Sequence, residues 1–140
     1  MNENMTRIVI ADDNAVIRSG IRNMLKKAGD LEIVGEAGDG FEALALVSTL
    51  RPDVLLLDME MPHMNGREVT ARLREKASPV HILVLSAYDD PQYILSTLSS
   101  GVAGYVIKEE APDTLIMAVR NVAQGKIGWI SQRLSSRLAN

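Results

Sequence analysis

Four short runs dense in aliphatic residues punctuate the chain: Arg7–Ala11 (RIVIA), Val54–Asp58 (VLLLD), Ile82–Ser86 (ILVLS) and Gly104–Lys108 (GYVIK). Continuous apolar runs of this length suit strands buried on both faces, the signature of a parallel sheet. A fifth run, Leu31–Ala37 (LEIVGEA), is more polar and is placed at a sheet edge. Between the runs the period changes to that of a helix. Ile17, Ile21, Met24, Leu25 and Ala28 form one apolar face, and Ala43, Leu46, Val47 and Leu50 form another after the capping-box spacing Asp39/Glu42. A third helix follows Asn65-Gly66 with Val69 and Leu73 inward. A fourth starts at Asp90-Pro91, N-cap then proline, with Ile94, Leu95 and Leu98 inward, and ends at Gly101. The last starts near Pro112, turns Leu115, Val119 and Val122 inward, and ends at Gly125.

Strict β-α alternation, repeated five times, predicts right-handed crossovers and an α/β fold. The flavodoxin-like (βα)5 arrangement, a doubly wound five-stranded parallel sheet in the order 2-1-3-4-5 with helices on both faces, is the natural solution. The expected domain occupies 1–125. Residues 126–140 form a C-terminal tail, or the start of a linker to an output domain, and Trp129 is either a tail anchor or part of the packing of that further domain.

Composition narrows the function. At 140 residues the chain is the size of one domain, and 46% hydrophobic with 24% charged residues is ordinary for a globular core. The net charge of −3 argues against a chain whose main task is to coat nucleic acid or anionic lipid. Cysteine is absent, which excludes thiol catalysis and thiolate metal sites and fits a cytoplasmic location. No signal peptide or apolar stretch of membrane-spanning length is evident, so no membrane association is expected.

Ligands of open parallel sheets gather at the carboxyl ends of strands, beside the point where strand order reverses. Asp12 and Asp13 follow the first strand, Asp58 ends the third, Ser86 the fourth and Lys108 the fifth, so all converge on one patch. Either aspartate of the first pair alone would serve as a helix N-cap, but a cap needs only one. Two adjacent carboxylates beside Asp58 repel unless a cation lies among them, and carboxylates with waters are a usual Mg²⁺ arrangement. Asp58 alone would read as a turn residue. Next to a metal it can act as a nucleophile toward phosphorus, with the Ser86 hydroxyl and the Lys108 charge clamping the phosphoryl oxygens. Met59, Met61 and Met64 read as core and loop filler, and His63 and His81 as surface residues without a ligand spacing.

These residues together, with Met61-Pro62 and Gly66 behind Asp58, Ser86-Ala87, and Gly104-Tyr105 before Lys108, resemble over nearly the whole chain the receiver domain of two-component response regulators. The stretch Gly101–Glu109 and the later Asn121–Gly125 are similar to the NarL/FixJ branch, whose members carry a LuxR-type helix-turn-helix. The resemblance implies that Asp58 is the phosphoacceptor for a sensor histidine kinase or phosphotransfer protein. Asp13, Asp58 and the Glu60 backbone carbonyl would ligate Mg²⁺, for which Mn²⁺ would substitute, and Asp12 would act through water. Ser86, Ala87 and Lys108 would bind the phosphoryl group, Ser86 and Tyr105 would form the switch pair, and Glu60 and Tyr88 would tune phosphoryl lifetime. The catalysis implied is confined to the domain's own phosphorylation and dephosphorylation.

Glu109 stands where many receivers have proline, and a cis bond there would cost about 2.5–4 kcal/mol, so a trans peptide is expected. Fifteen residues after Gly125 cannot hold a helix-turn-helix, so this fragment alone is not expected to bind DNA. A homodimer or effector contact is expected through the surface of the fourth helix, fifth strand and fifth helix, with Tyr93, Ile116, Met117 and Arg120 as exposed candidates. Two other readings of the pocket are a degenerate receiver that serves only as a binding module, and a Mg-dependent aspartyl phosphatase with Glu60 as acid and base. A flavodoxin-type FMN carrier is disfavoured, because Asp12-Asp13 would repel its phosphate.

Overall fold

The computed structural model describes residues 4–139. The elements run β1 (Thr6–Ala11), α1 (Ala15–Leu25), β2 (Leu31–Ala37), α2 (Gly40–Leu50), β3 (Val54–Leu57), α3 (Gly66–Glu75), β4 (His81–Ser86), α4 (Pro91–Ser99) and β5 (Gly104–Ile107). A 3-10 turn over Lys108–Glu110 then leads to α5 (Ala111–Ala123) and α6 (Gln132–Leu138). The five strands are all parallel in the order β2-β1-β3-β4-β5, the flavodoxin-like topology expected from the alternation, and β2 is at an edge.

Side-chain alternation along each strand divides the core in two. Ile8, Ile10, Leu56, Leu83, Leu85 and Val106 face α1 and α5, where Ile21, Leu25, Leu115, Val119 and Val122 close over them. Val9, Leu55, Leu57, Ile82, Val84 and Tyr105 face the other helices, meeting Val47, Val69, Leu73 and Ile94. Burial of the central strands on both faces is why their sequences are continuous apolar runs rather than alternating ones.

Local chemistry sets the helix limits. Asp39 caps α2 by accepting the Glu42 N–H, and Asn65 forms a full capping box with Glu68 at the start of α3. Asp90 accepts the Tyr93 N–H ahead of Pro91, as the sequence predicts for α4. One inward assignment fails: Leu95 is 51% exposed, because the α4 stripe that meets the sheet runs through Ile94 and Thr97 instead. Met59, Met61 and Met64 are buried, as filler should be. The Lys108–Glu109 peptide is trans, as are all others among the described residues.

The tail beyond the last β-α unit folds back onto the sheet. Trp129 pairs in parallel with Gly104 at the edge of β5, and α6 seats Leu134 in the core. The tail closes over the β5 edge from both sides: Trp129 packs on the α1/α5 face of the sheet, while Ile130, Leu134 and Leu138 pack on the opposite face. Among the described residues no helix is long and apolar enough to cross a membrane.

Candidate functional site

The carboxyl ends of β1, β3, β4 and β5 bring Asp12, Asp13, Asp58, Ser86 and Lys108 to one end of the sheet. Parallel pairing places them there: Ala11 lies opposite Leu57, and the Asp58 N–H donates to the Ala11 carbonyl at 2.9 Å, so the next residues of both strands emerge side by side. Oxygens of Asp12, Asp13 and Asp58 lie within 4.8 Å of one another. Lys108 Nζ is 3.3 Å from Asp12 Oδ2 and 3.8 Å from Asp58 Oδ2. One lysine therefore faces three carboxylates, two of them buried: Asp12 is 2% and Asp58 8% exposed.

Neither aspartate of the pair caps α1. That role belongs to Asn14, whose side chain accepts the N–H groups of Val16 and Ile17. Asp12 instead accepts the Asn14 N–H through Oδ1 at 2.9 Å, which turns its other oxygen to Lys108. Asp58 accepts the Glu60 N–H at 3.2 Å. Burial pushes the Asp58 carboxyl up to about 6, and the Asp12 and Asp13 charges add to the rise, against the Glu60 N–H and the Lys108 charge. The donor set, hard oxygens with more negative charge than Lys108 balances, suits a small divalent cation.

The remaining candidates line the rim. Ser86 is buried at the end of β4, where its Oγ accepts the Tyr88 N–H at 3.2 Å, and Ala87 follows it into the exposed loop. The Tyr88 phenol donates to Glu60 Oε1 at 2.6 Å, so the two residues meet across the mouth of the pocket. That hydrogen bond and the Glu60 charge raise the Tyr88 phenol above its ordinary value. Tyr105 is fully buried and donates to the Tyr88 carbonyl at 2.9 Å, while burial pushes its phenol up to about 12.

Sequence reasoning missed three participants. Tyr93, placed among the exposed surface residues, is half-buried with its ring 4.9 Å from Tyr88 and 6.4 Å from Tyr105, so all three tyrosines form one cluster. Arg18 donates from Nη1 to the Asp12 carbonyl at 2.5 Å and lies 3.4 Å from Glu36, bracing the acidic loop against β2. His63, exposed as expected, sits 3.3 Å from Asp39 and links the loop after β3 to the start of α2. Periodicity is silent on all three, since it shows which face of an element is apolar and not which polar or aromatic side chains meet across loops. Of the other exposed candidates, Met117 and Arg120 are exposed and Ile116 half-buried.

Residues 8–120 match the response regulator receiver domain family. The chain belongs to that family. Its relatives are of the NarL/DegU type. The transcriptional regulatory protein DegU of Brevibacillus brevis is 42% identical over 89% of this chain and 53% of its own length. The oxygen regulatory protein NreC of Staphylococcus epidermidis is 41% identical over 96% of this chain and 62% of its own. The receiver thus spans a little over half the length of these relatives. Among solved structures, the NarL receiver domain of Mycobacterium tuberculosis superposes with a TM-score of 0.83 at 36% identity, covering 88% of this chain and 99% of its own. The isolated RcsB receiver of Salmonella enterica serovar Typhimurium, with the phosphomimetic BeF3⁻, gives 0.85 at 27% identity over 96% and 99%. Receivers are signal-transducing modules rather than classical enzymes; they bind Mg²⁺ at an acidic pocket and interact with histidine kinases. In this chain Asp12, Asp13 and Asp58 form an acidic cluster at the carboxyl end of the sheet.

Proposed function

We propose that this receiver takes a phosphoryl group onto Asp58 from the phosphohistidine of a sensor kinase or phosphotransfer protein. The supporting observation is the position of Asp58, which follows the central strand β3, stands among the acidic cluster and lies within 3.8 Å of Lys108 Nζ, while Asp12 is held aside by the Asn14 N–H. In the transfer an Asp58 oxygen bonds to phosphorus, the phosphorus–nitrogen bond breaks, and the imidazole leaves with the electron pair and takes up a proton. Hydrolysis reverses the modification: water attacks phosphorus, the acyl oxygen leaves as the Asp58 carboxylate, and inorganic phosphate departs.

Asp13, Asp58 and the Glu60 carbonyl would hold Mg²⁺, or Mn²⁺ in its place, with Asp12 acting through water. Bound there, the cation supplies charge neutralisation for the phosphoryl oxygens. Lys108 adds a point charge, and the Ser86 hydroxyl and Ala87 N–H donate to the remaining oxygens. Tyr105, with Ser86, reports the state to the surface. Glu60 and Tyr88, joined across the mouth, limit the approach of the hydrolytic water. The degenerate-receiver reading loses ground because the carboxylates and Lys108 are all in place, and the phosphatase reading because Glu60 is engaged by Tyr88 at the rim.

The output is control of transcription through a DNA-binding segment outside these 140 residues; the receiver alone, with net charge −3, is not expected to bind DNA. A phosphorylation-dependent homodimer would use the outer face of α5, where Met117 is exposed, since the tail covers part of β5. The decisive test is acetyl phosphate with Mg²⁺, read by mass spectrometry: the wild type gains one phosphoryl group and Asp58→Asn gains none. Labelling of the Asn variant would refute the assignment. Sedimentation with and without beryllofluoride tests the dimer, for which an unchanged mass would leave intramolecular signalling as the output.

A further inference from the structure

Residues 129–138 are bonded to two of the loops that carry the pocket, those after β4 and β5. At the edge of β5, the Trp129 N–H donates to the Ala103 carbonyl at 3.0 Å and its carbonyl accepts the Tyr105 N–H at 2.9 Å. Gly104, between them, permits this approach: a Cβ there would stand 3.0 Å from both Cβ and the carbonyl oxygen of Trp129. α6 then places Leu134, 1% exposed, in the same cluster as Tyr105 and Ile107, with Leu138 packed at its margin.

Two polar contacts extend the seat. The Ser131 hydroxyl caps α6 by accepting the Leu134 N–H at 3.1 Å and donates to Glu110 at 2.9 Å, in the turn that follows Lys108. Arg137 reaches the loop after Ser86, with Nη1 and Nη2 each 3.3 Å from Asp89, at a carboxylate and a carbonyl oxygen. Asp89 follows Tyr88, whose carbonyl holds the Tyr105 hydroxyl.

We infer that the docked tail and the inward ring of Tyr105 are one two-state element, so that a phosphoryl group on Asp58 tightens the tail and an intact tail tightens the hold on the phosphoryl group. This rests on the phosphoacceptor reading above. A helix of seven residues is not stable alone in water, so α6 forms only while seated. Its seat is completed by the inward Tyr105 ring. Turned outward, the ring would leave the buried cluster it shares with Leu134 and take away part of the close packing that seats α6. The contacts to Glu110 and Asp89 give movement of either loop a second route to the same helix.

The test uses the 140-residue chain with Mg²⁺, with and without beryllofluoride. Trp129 is the only tryptophan, so its emission reports docking, and amide exchange over 131–138 reports α6. Beryllofluoride should slow that exchange and shift the emission. By reciprocity Arg137→Ala and Leu134→Ser should each weaken beryllofluoride binding, by about fivefold for Leu134→Ser. Arg137→Ala, a surface change, keeps the test valid if Leu134→Ser fails to fold. Beryllofluoride that binds, as seen in the amide signals of Asp58 and Ser86, while α6 exchange and Trp129 emission stay unchanged would overturn the coupling and leave the phosphoacceptor reading standing. An Arg137→Ala variant with a loosened α6 and unaltered beryllofluoride affinity would overturn the coupling in the same way. Failure of beryllofluoride to bind the wild type at all would overturn the reading itself, and the coupling with it.

Discussion

The two ends of the sheet handle charge in opposite ways. At the amino end Arg7 and Asp53 are held by hydrogen bonds: the Arg7 N–H donates to Asp53 Oδ2 at 2.8 Å, and the Arg7 guanidinium donates to the carbonyls of Leu50 and Arg51 at 2.7 and 3.0 Å. The Asp53 main chain closes the same knot, donating to the Arg7 carbonyl and accepting the His81 N–H. At the carboxyl end three carboxylates share one lysine, and the central one is held far from its ordinary ionisation range. One end uses its polar groups to join α2 to the strands. The other keeps an unbalanced charge that a proton or a bound cation relieves, which is the condition for a pocket that responds to metal and phosphate.

The strongest way to break this comparison is to remove the central charge. With the Asp58 carboxyl raised from 3.8 to about 6, the folded protein holds that proton more tightly than the unfolded chain does. Stability should therefore fall as pH rises through the window between those two values and stay level above it. A shift of this size corresponds to at most about 3 kcal/mol. Asp58→Asn, measured by urea unfolding without metal, should lack this step and be the more stable protein at neutral pH. Superimposable pH profiles for the two proteins would mean that the charge imbalance carries no cost.

Mg²⁺ should recover part of that cost. Wild-type protein is expected to melt at higher temperature in millimolar Mg²⁺, the gain vanishing on chelation. It should be smaller in Asp13→Asn than in Asp12→Asn, and absent in Asp58→Asn. An equal rise in all four proteins would deny the cation its place in the acidic cluster.

A smaller effect is expected at the opposite end. Asp53→Ala removes an acceptor from the Arg7 N–H and should lower stability by about 1 kcal/mol, while acetyl phosphate labelling and the response to Mg²⁺ remain as in the wild type. Loss of labelling in this variant would show that the two ends are not independent. The mildest change is Tyr88→Phe, which deletes the hydrogen bond to Glu60 and leaves the ring contact with Tyr93. Its fold should be unchanged and its phosphoryl lifetime altered severalfold, as followed by loss of label; an unchanged lifetime would remove Tyr88 from the control of water entry.

Much of this was legible along the chain because it depends on local pattern. Apolar runs marked the buried strands, and the β-α alternation carried the 2-1-3-4-5 order through the handedness of crossovers. Asp90 before Pro91 announced its own helix start. The pocket was legible for the same reason: once strand order is known, strand ends are neighbours, so Asp12, Asp58 and Lys108 had to meet.

What only the tertiary structure decided are relations between units that share no period. Asn14 rather than either aspartate caps α1, which leaves both acidic groups for the pocket, and sequence spacing allowed all three. Tyr88 meets Glu60 because the loops after β3 and β4 approach one another in space, and Tyr93 meets Tyr105 across α4 and β5. The tail is the clearest case. Trp129, Leu134 and Leu138 were visible as apolar residues, but a seven-residue helix has too little propensity of its own to be foreseen. Its structure comes from a seat made elsewhere, by the open edge of β5, the missing side chain of Gly104 and the inward ring of Tyr105.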